Sequence, residues 1–246
     1  MTNERLRTAL LENGLTPSAL ASEVEVDTKT VERWIKGRIP HRTSRYQVAT
    51  RLGVDEAFLW PDAIPRDQVT TASASEILAV YPHRTEVPRE VWRRLFENAE
   101  EEINVLVYAG LFLAEDRGLL SIIRKKAAAG VRVRFLVGDP DDEQINDRGQ
   151  QEGVGDAMAA KIRNAIVLYD TLRKTVGVEF RMHRTVLYNS IYRSDEIALV
   201  NTHVYGFPAP IAPVWHLRRV AGGEIAAIYF DSFEKVWETA TPLPED

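Results

Sequence analysis

Residues 16–37 read TPSALASEVEVDTKTVERWIKG, and they carry the clearest structural signals of the chain. Thr16 has the side chain of a helix N-cap, and Pro17 suits the first position of the helix that follows. Asp27 is a suitable N-cap for a second helix, which ends at Gly37. The pattern predicts two consecutive helices joined by a short turn.

The second of these helices has two unlike faces. Val31, Trp34 and Ile35 fall at positions i, i+3 and i+4, so we expect them to share an inward face. The outward positions are Thr28, Lys29, Arg33 and Lys36. The exposed face of this helix is therefore polar and basic.

Two further helices complete a predicted first domain of residues 1–60. The first helix has apolar residues at helical spacing, namely Leu6, Ala9 and Leu10. The last helix runs from about residue 42 to residue 52. Its buried residues are expected to be Tyr46, Ala49 and Leu52.

Positive charge is concentrated in residues 28–51. This segment holds one acid, Glu32, and seven basic residues, namely Lys29, Arg33, Lys36, Arg38, Arg42, Arg45 and Arg51. Its formal charge is +6, whereas the whole chain carries −5, so the other residues together carry −11. A focused excess of this kind indicates a polyanionic partner for one end of the chain and a different role for the other end.

The motif at residues 16–37, within a region of about 55 residues, resembles the helix-turn-helix of the Xre (phage-repressor-like) family. In that family the second helix of the motif lies in the major groove of DNA. The resemblance implies contacts to base edges by the early residues of this helix, namely Thr28, Lys29, Thr30 and Arg33. Contacts to phosphates are expected from the basic residues that follow, namely Lys36, Arg38, Arg42 and Arg45. The alternative is a helical protein-interaction domain with a solvated basic face.

The length and composition of the chain suit a small domain followed by a medium one. Its 246 residues are 45% hydrophobic and 27% charged, which is enough to bury a sizeable core. The sequence contains no cysteine, so disulfides, thiolate metal sites and cysteine nucleophiles are excluded. The amino terminus has no signal-peptide pattern and no run of about 18 apolar residues occurs, so we expect a cytoplasmic protein without membrane contact. Residues 61–75, with Pro61, Pro65 and small polar residues, are predicted to be a linker.

Residues 76–246 alternate between strand and helix patterns. An apolar run at 103–108 is followed by a helical pattern at 119–129 and a second apolar run at 131–137. A strand, a helix and a strand with short connections predict a parallel α/β sheet. The remaining predicted elements are a helix at 156–174, a strand at 178–182, a hairpin at 187–205, a second hairpin near 221–223 and a helix at 233–240. The predicted fold is an all-α domain followed by an α/β domain with a mixed sheet.

The hairpin at 187–205 is the most informative element of this second domain. With a two-residue turn at 195–196, Ser190 lies opposite Asn201 on the neighbouring strand. The side chains on one face of the hairpin are mostly aliphatic, namely Leu187, Ile191, Ala198, Val200 and Val204. The side chains on the other face can form hydrogen bonds, namely Tyr188, Ser190, Tyr192, Asn201, His203 and Tyr205. These six side chains predict the floor of a cleft.

The order of elements, with this hairpin and a terminal helix at 229–237, is similar to the phospholipase D-like fold over about 140 residues. That family carries His-x-Lys-x4-Asp on the matching hairpin, where this chain has Tyr188, Ser190 and Asp195. Without an imidazole nucleophile and a cation for the phosphoryl oxygens, the covalent phosphohistidine route has no chemistry left. The resemblance therefore implies the fold and a domain without catalytic residues. The whole chain resembles bacterial regulators that join an Xre-type reader to a degenerate phospholipase D-like domain.

Other features of this domain suggest other sites. If the His-x-Lys-x4-Asp motif is aligned on His183 instead of Tyr188, His183 becomes a candidate nucleophile. The residues after His183 do not complete the motif. His183, His203 and His216 lack metal-ligand spacing with one another, so neither a metal nor a cofactor is expected. Asp139 begins an acidic loop after a predicted parallel strand, where open α/β sheets bind ligands, although a mobile surface loop is the alternative reading. The predicted ligand site contains Tyr188, Ser190, Tyr192, Asp195, Asn201, His203, Tyr205, His183 and Asp139.

These features together predict a sequence-specific DNA-binding transcriptional regulator. Its second domain is expected to sense an unknown small-molecule effector, to form a homodimer, or both. The expected partner of its first domain is a double-stranded DNA operator. One alternative is a divergent phosphodiesterase or nuclease of the phospholipase D class that its first domain targets to DNA. Another is an antitoxin-like partner module.

Overall fold

The computed structural model describes residues 2–60, residue 63 and residues 66–244. The chain separates into two compact units. The first unit consists of Met1–Ser75 together with Val220–Glu224, and the second of Glu76–Arg219 together with Ile225–Asp246.

The first unit is helical over the residues that the structure describes. Its helices are α1 (Glu4–Glu12), α2 (Pro17–Glu23), α3 (Thr28–Ile35), α4 (Arg42–Leu52), α5 (Glu56–Leu59) and α6 (Arg66–Glu76), whose last residue belongs to the second unit. The Thr16 side chain accepts a hydrogen bond from the backbone N–H of Ala19 at 3.1 Å, and Asp27 accepts one from Lys29 at 2.7 Å. Both predicted N-caps are confirmed, and a four-residue turn joins α2 to α3.

The small core of this unit forms where α1 to α5 meet. Its buried side chains include Leu6, Leu20, Val31, Trp34, Val48, Leu52 and Leu59. Trp34 and Val31 anchor the inner face of α3, as the helical spacing predicts. Glu25, in the turn before α3, has φ = 54°, which is a left-handed conformation that only a few per cent of non-glycine residues adopt.

The prediction for α4 is wrong at one position. Tyr46 is 67% exposed, and the buried stripe of the helix contains Val48, Ala49 and Leu52. Arg45 extends this stripe because its guanidinium pairs with Glu56 at 2.5 Å and donates to the backbone oxygen of Pro40 at 2.9 Å. An ion pair across helices therefore sets the orientation of α4, and the sequence pattern within the helix did not indicate it.

Part of the predicted linker segment is helical in the structure. Pro61 and Pro65 lie outside the described residues, but a continuous helix begins at Arg66 and extends to Glu76. This segment lacks an apolar repeat, so its pattern did not predict a helix. Its last residue has a long-range partner, because the buried Glu76 carboxylate accepts hydrogen bonds from the backbone N–H groups of Ile225 and Ala226 at 2.7 and 3.1 Å.

The second unit contains a mixed sheet of eight strands. The strands are β1 (Ile77–Tyr81), β2 (Glu102–Leu106), β3 (Arg132–Gly138), β4 (Val178–His183), β5 (Asn189–Ser194), β6 (Ile197–Thr202), β7 (Val214–Arg218) and β8 (Thr241–Pro242). Their order in the sheet is β1-β7-β6-β5-β2-β3-β4-β8. Strands β2, β3 and β4 pair in parallel, as predicted, and the other pairs are antiparallel.

Helices cover both faces of this sheet. They are α7 (Arg89–Glu97), α8 (Leu111–Glu115), α9 (Arg117–Ala128), α10 (Glu143–Gln151), α11 (Ala157–Leu168), α12 (Asp170–Arg173) and α13 (Ile225–Thr239). Alternate residues of β2 point to opposite faces. Ile103 and Val105 pack with residues of α7 and α9, whereas Leu106 packs with residues of α13.

Several predicted elements have other bounds in the structure. The two-residue turn after Ser194 is confirmed, with Ser190 paired to Asn201. The second hairpin near 221–223 is wrong, because β7 already pairs with β1 and β6 and the chain then enters α13. The long helix predicted at 156–174 divides at Tyr169, whose hydroxyl donates to the backbone oxygen of Gly110 at 2.9 Å. In the described part of the chain, no helix combines the length and apolar character needed to cross a membrane.

Candidate functional site

The first unit presents a basic surface on and after α3. Its side chains are Lys29, Arg33, Lys36, Arg38 and Arg42, all of which belong to exposed residues. Within the described ranges, none of these five takes part in an ion pair. We call this set the basic surface.

Two basic residues of the same segment are engaged elsewhere. Arg45 is bound to Glu56 and to Pro40, and Arg51 forms an ion pair with Glu23. The structure therefore does not leave Arg45 free in the way that the predicted phosphate contact requires. Thr28 and Thr30, predicted to contact bases, are partly exposed at the beginning of α3.

Two adjoining cavities lie beside the 187–205 hairpin of the second unit. One has a volume of about 270 Å³ and is lined by Ser190 and Tyr192, and we call it the Tyr192 cavity. The other has a volume of about 300 Å³ and is lined by Tyr188 and Tyr205, and we call it the Tyr188 cavity. Tyr108 and His203 line both cavities. Their rings stack with centroids 5.5 Å apart and form the wall that the cavities share.

Ser190 and His203 form a hydrogen-bonded pair at this wall. The Ser190 hydroxyl oxygen lies 3.0 Å from His203 Nε2, and His203 Nδ1 lies 3.1 Å from the backbone oxygen of Leu187. Because a carbonyl oxygen only accepts, Nδ1 carries the proton and Nε2 accepts from the serine hydroxyl. Burial, with smaller contributions from the nearby charges of Arg148 and Arg84, lowers the pKa of His203 to about 4. The imidazole is therefore neutral at pH 7.

Tyr192 belongs mainly to the core and only borders its cavity. Its ring makes edge contacts with Trp92 and Phe112, at centroid distances of 4.9 and 5.5 Å. Burial raises the pKa of the Tyr192 hydroxyl, while Arg84 and Ser190, which lie close to it, act in the opposite direction. A polar chain thus runs from Arg84 through Tyr192 and Ser190 to His203.

Some of the cations around the two cavities have an acidic partner and others do not. Arg148 and Glu152 form a buried ion pair at 2.6 Å, with Arg148 at the Tyr188 cavity and Glu152 at the Tyr192 cavity. Arg84 and Lys161 also line the Tyr192 cavity, and neither has an acidic partner among the residues that the structure describes. Arg84 lies over the ring of Phe112, with its guanidinium carbon 4.1 Å from the ring centroid.

Four of the nine predicted ligand residues lie outside both cavities. His183 is buried, and its Nε2 donates to the backbone oxygen of Val107 at 3.0 Å while its Nδ1 accepts from the backbone N–H of Thr185 at 3.3 Å. Asp139 accepts from Arg184 at 2.9 Å and from the backbone N–H of Asp141 at 3.0 Å. These two side chains stabilise the loops at the ends of β3 and β4.

The other two residues stabilise the hairpin region. Asn201 donates to the backbone oxygens of Ala212 and Pro213 at 3.2 and 3.1 Å. Asp195 lies in the turn at the opposite end of the hairpin, where its carboxylate accepts from three backbone N–H groups. It lies five residues from Ser190 along the strand, which corresponds to about 17 Å, so the structure does not bring Asp195 to the cleft.

The sequence did not reveal the cavity residues that come from other elements. Arg84 precedes α7, Tyr108 follows β2, Phe112 belongs to α8 and Lys161 belongs to α11. Of these four residues, the sequence indicated only Tyr108, because it is the last residue of the apolar run at 103–108. Across the described ranges, no group of three His, Asp or Glu side chains has the geometry to hold a metal ion.

Comparisons with known proteins place only weak constraints on the chain. No family model matches it, and no match is found among curated proteins. TrmBL2, described as an archaeal chromatin protein with a novel mode of DNA binding, is 18% identical, with 97% of this chain and 92% of that chain covered and a TM-score of 0.44. NucT from Helicobacter pylori is 9% identical, with 67% and 98% covered and a TM-score of 0.44. Nuc from Salmonella typhimurium, a phospholipase D family member, is 13% identical, with 64% and 91% covered and a TM-score of 0.38.

Proposed function

We propose that this protein is a sequence-specific DNA-binding transcriptional regulator. Its first unit binds an operator, and its second unit binds a small-molecule effector and joins two copies of the chain. The observation that carries the proposal is the basic surface, whose five cationic side chains are exposed and without acidic partners in the described part of the chain.

The helix that presents the basic surface has the form that enters a major groove. Helix α3 follows α2 after a four-residue turn and packs on the core through Val31 and Trp34. Its opposite face, with Lys29 and Arg33, is open to solvent. In a helix-turn-helix the early residues of the second helix contact base edges, and cations around it contact phosphates.

The electrostatics of the chain favour DNA over an acidic protein partner. The formal charge of residues 28–51 is +6 in a chain of −5, so this segment attracts a polyanion although the chain as a whole is acidic. Ion pairs occupy Arg45 and Arg51, and this supports assigning phosphate contacts to Lys36, Arg38 and Arg42 instead.

Binding titrations over a salt series test this proposal. Arg33→Ala should cost about 1–3 kcal/mol on a selected site and relax discrimination at one base pair. Arg42→Ala should weaken selected and scrambled sites alike and reduce the slope of log K against log salt by about one. Arg7→Ala, which removes an exposed cation of α1, is the matched control and should leave both titrations unchanged. Equal losses on both sites for Arg33→Ala contradict base reading by α3.

An exposed apolar patch supports pairing of two copies through the second unit. The patch consists of Val186, Tyr188, Val204, Tyr205 and Phe207, and Tyr188 and Tyr205 are each 79% exposed. Val186, Tyr188 and Tyr205 also line one cavity, and exposed apolar groups of this kind, tyrosines above all, are common in protein interfaces. A twofold pair would also present two first units to a palindromic site.

Sedimentation of the full-length protein tests the pairing. Replacement of both Tyr188 and Tyr205 by Ser should convert a dimer to a monomer at micromolar concentration. Val176→Ser, which changes an apolar residue outside the patch that is 91% exposed, is the control and should leave the dimer intact. A wild-type monomer, or a dimer unaffected by the double substitution, contradicts this part of the proposal.

A further inference from the structure

We propose that the Tyr192 cavity binds a planar aromatic carboxylate, with the carboxylate held between Arg84 and Lys161. This inference rests on the effector-binding part of the proposed function and names the chemical class of the effector. Three observations support it: the charge of the two cations, the aromatic walls, and the hydrogen bonds that hold one wall in place.

The first argument is the charge at the cavity. Arg84 and Lys161 are both partly buried, and neither forms an ion pair in the described ranges, while Glu115 and Glu152 line the same cavity. The Arg148–Glu152 pair neutralises itself, and Glu115 is exposed, so water and salt screen its charge. The partly desolvated cations therefore favour an anion, and the planar guanidinium of Arg84 matches a carboxylate with two parallel hydrogen bonds.

The second argument is the aromatic character of the walls. The rings of Tyr108 and His203 lie nearly parallel, at 19°, and the rings of Phe112 and Tyr192 lie at 74° on another wall. Aromatic rings pack well against both faces and edges of other rings. A volume of about 270 Å³ is slightly below the usual range for drug-sized ligands, so it suits a molecule with one or two rings.

The third argument is that hydrogen bonds hold one wall of the cavity in place. Pro208, Ala209 and Pro210 line the cavity, and the segment 208–212 is bound to the residues around Arg84. The backbone N–H of Arg84 donates to Ala212 at 3.1 Å, and the hydroxyl of Thr85 donates to the backbone oxygen of Pro210 at 3.4 Å. A cavity with fixed walls loses little conformational entropy when a ligand enters.

Calorimetric titration of the full-length protein with matched probes tests the inference. The probes are cinnamate, cinnamamide, 3-cyclohexylpropionate and phenyl phosphate. Cinnamate should bind at least about tenfold more tightly than the uncharged amide and the non-aromatic acid, because each lacks one of the two recognised groups.

Substitutions of the two cations distinguish loss of the carboxylate contact from a general loss of cavity structure. Arg84→Met and Lys161→Met should each weaken cinnamate by about tenfold while changing the amide by less than about twofold. Arg94→Met, an exposed cation of α7, is the matched control and should change neither. No detectable binding of cinnamate, tighter binding of phenyl phosphate than of cinnamate, or unchanged cinnamate affinity in both cavity variants overturns the inference.

The same samples separate this inference from the proposed function. Operator titrations with and without cinnamate measure the coupling between the two sites. Tight binding of cinnamate with unchanged operator affinity supports the cavity and contradicts a sensor role. Loss of operator binding in Arg33→Ala with normal cinnamate binding leaves the cavity inference intact.

Discussion

The carboxylate of Asp195 accepts a hydrogen bond at 2.8 Å from the backbone N–H of Glu102, the first residue of β2. It also accepts from the backbone N–H groups of Glu100 and Glu101, at 2.7 and 2.9 Å. The one residue that matches the phospholipase D motif therefore has a structural role in this chain. Its presence on the hairpin is not evidence for catalysis.

Asp195→Asn should destabilise the second unit by about 2–3 kcal/mol, because the amide replaces a charged acceptor and its NH₂ group faces backbone donors. Asn tolerates the left-handed φ of 48° at this position, so the loss reports the carboxylate and not backbone strain. Urea unfolding measures the change. Glu196→Gln, at the exposed neighbouring position, should change stability by less than about 0.5 kcal/mol. Equal stability of the Asp195 and Glu196 variants contradicts the assignment.

Phosphodiester hydrolysis is expected to be absent. Tyr188 is exposed at the nucleophile position, and Ser190 supplies no positive charge for phosphoryl oxygens. His183 has both ring nitrogens engaged with backbone groups and is buried. Incubation with DNA, phosphatidylcholine and a chromogenic bis-phosphodiester should give no turnover above that of heat-treated protein. Turnover that His183→Ala abolishes supports the enzyme alternative.

The stability of the second unit should depend on the neutral form of His203. Its pKa is about 4 in the folded protein and near 6.5 when unfolded, so the unfolded chain binds more protons between these values. Stability is therefore fully present above pH 6.5 and is lost as the pH falls towards 4. His203 should account for about 2 kcal/mol of the loss between pH 7.5 and pH 5.

The variant His203→Gln isolates this contribution, because His183 and His216 also have lowered pKa values and remain in the variant. Unfolding free energies of both proteins at pH 7.5 and pH 5 measure it. The wild-type protein should lose more stability than the variant over this interval. Identical losses contradict the burial of a neutral imidazole.

Gly149→Ala should destabilise the second unit by about 3 kcal/mol or more. An added Cβ would lie 2.1 Å from the backbone oxygen of Gly155, and backbone atoms cannot move aside as a side-chain tip can. Gly153→Ala is the control, because its Cβ meets nothing within 4 Å and its left-handed φ costs about 1–2 kcal/mol. Thermal unfolding distinguishes the two, and a Gly149 variant as stable as the Gly153 variant contradicts the close approach. Gly149 thus allows the close approach of α10 to the segment that begins α11.

Local interactions explain why much of the fold was predictable. The N-caps Thr16 and Asp27 act within three residues of their own position, and the register of the 187–205 hairpin follows from a two-residue turn. Such signals lie wholly within one stretch of sequence, because the hydrogen bonds and the apolar repeat involve neighbouring residues. The sequence alone therefore determined the paired helices α2 and α3, the parallel strands and the hairpin.

Long-range contacts decided the rest, and only the tertiary structure contains them. Arg45 turns inward because Glu56 lies beside it, eleven residues along the chain. The Tyr192 cavity combines Arg84, Phe112, Lys161 and Ser190, which belong to separate elements that no common repeat connects. Charge and shape at a cavity depend on how packed elements meet, and a pattern read along one strand or helix contains no information about the partners across the gap.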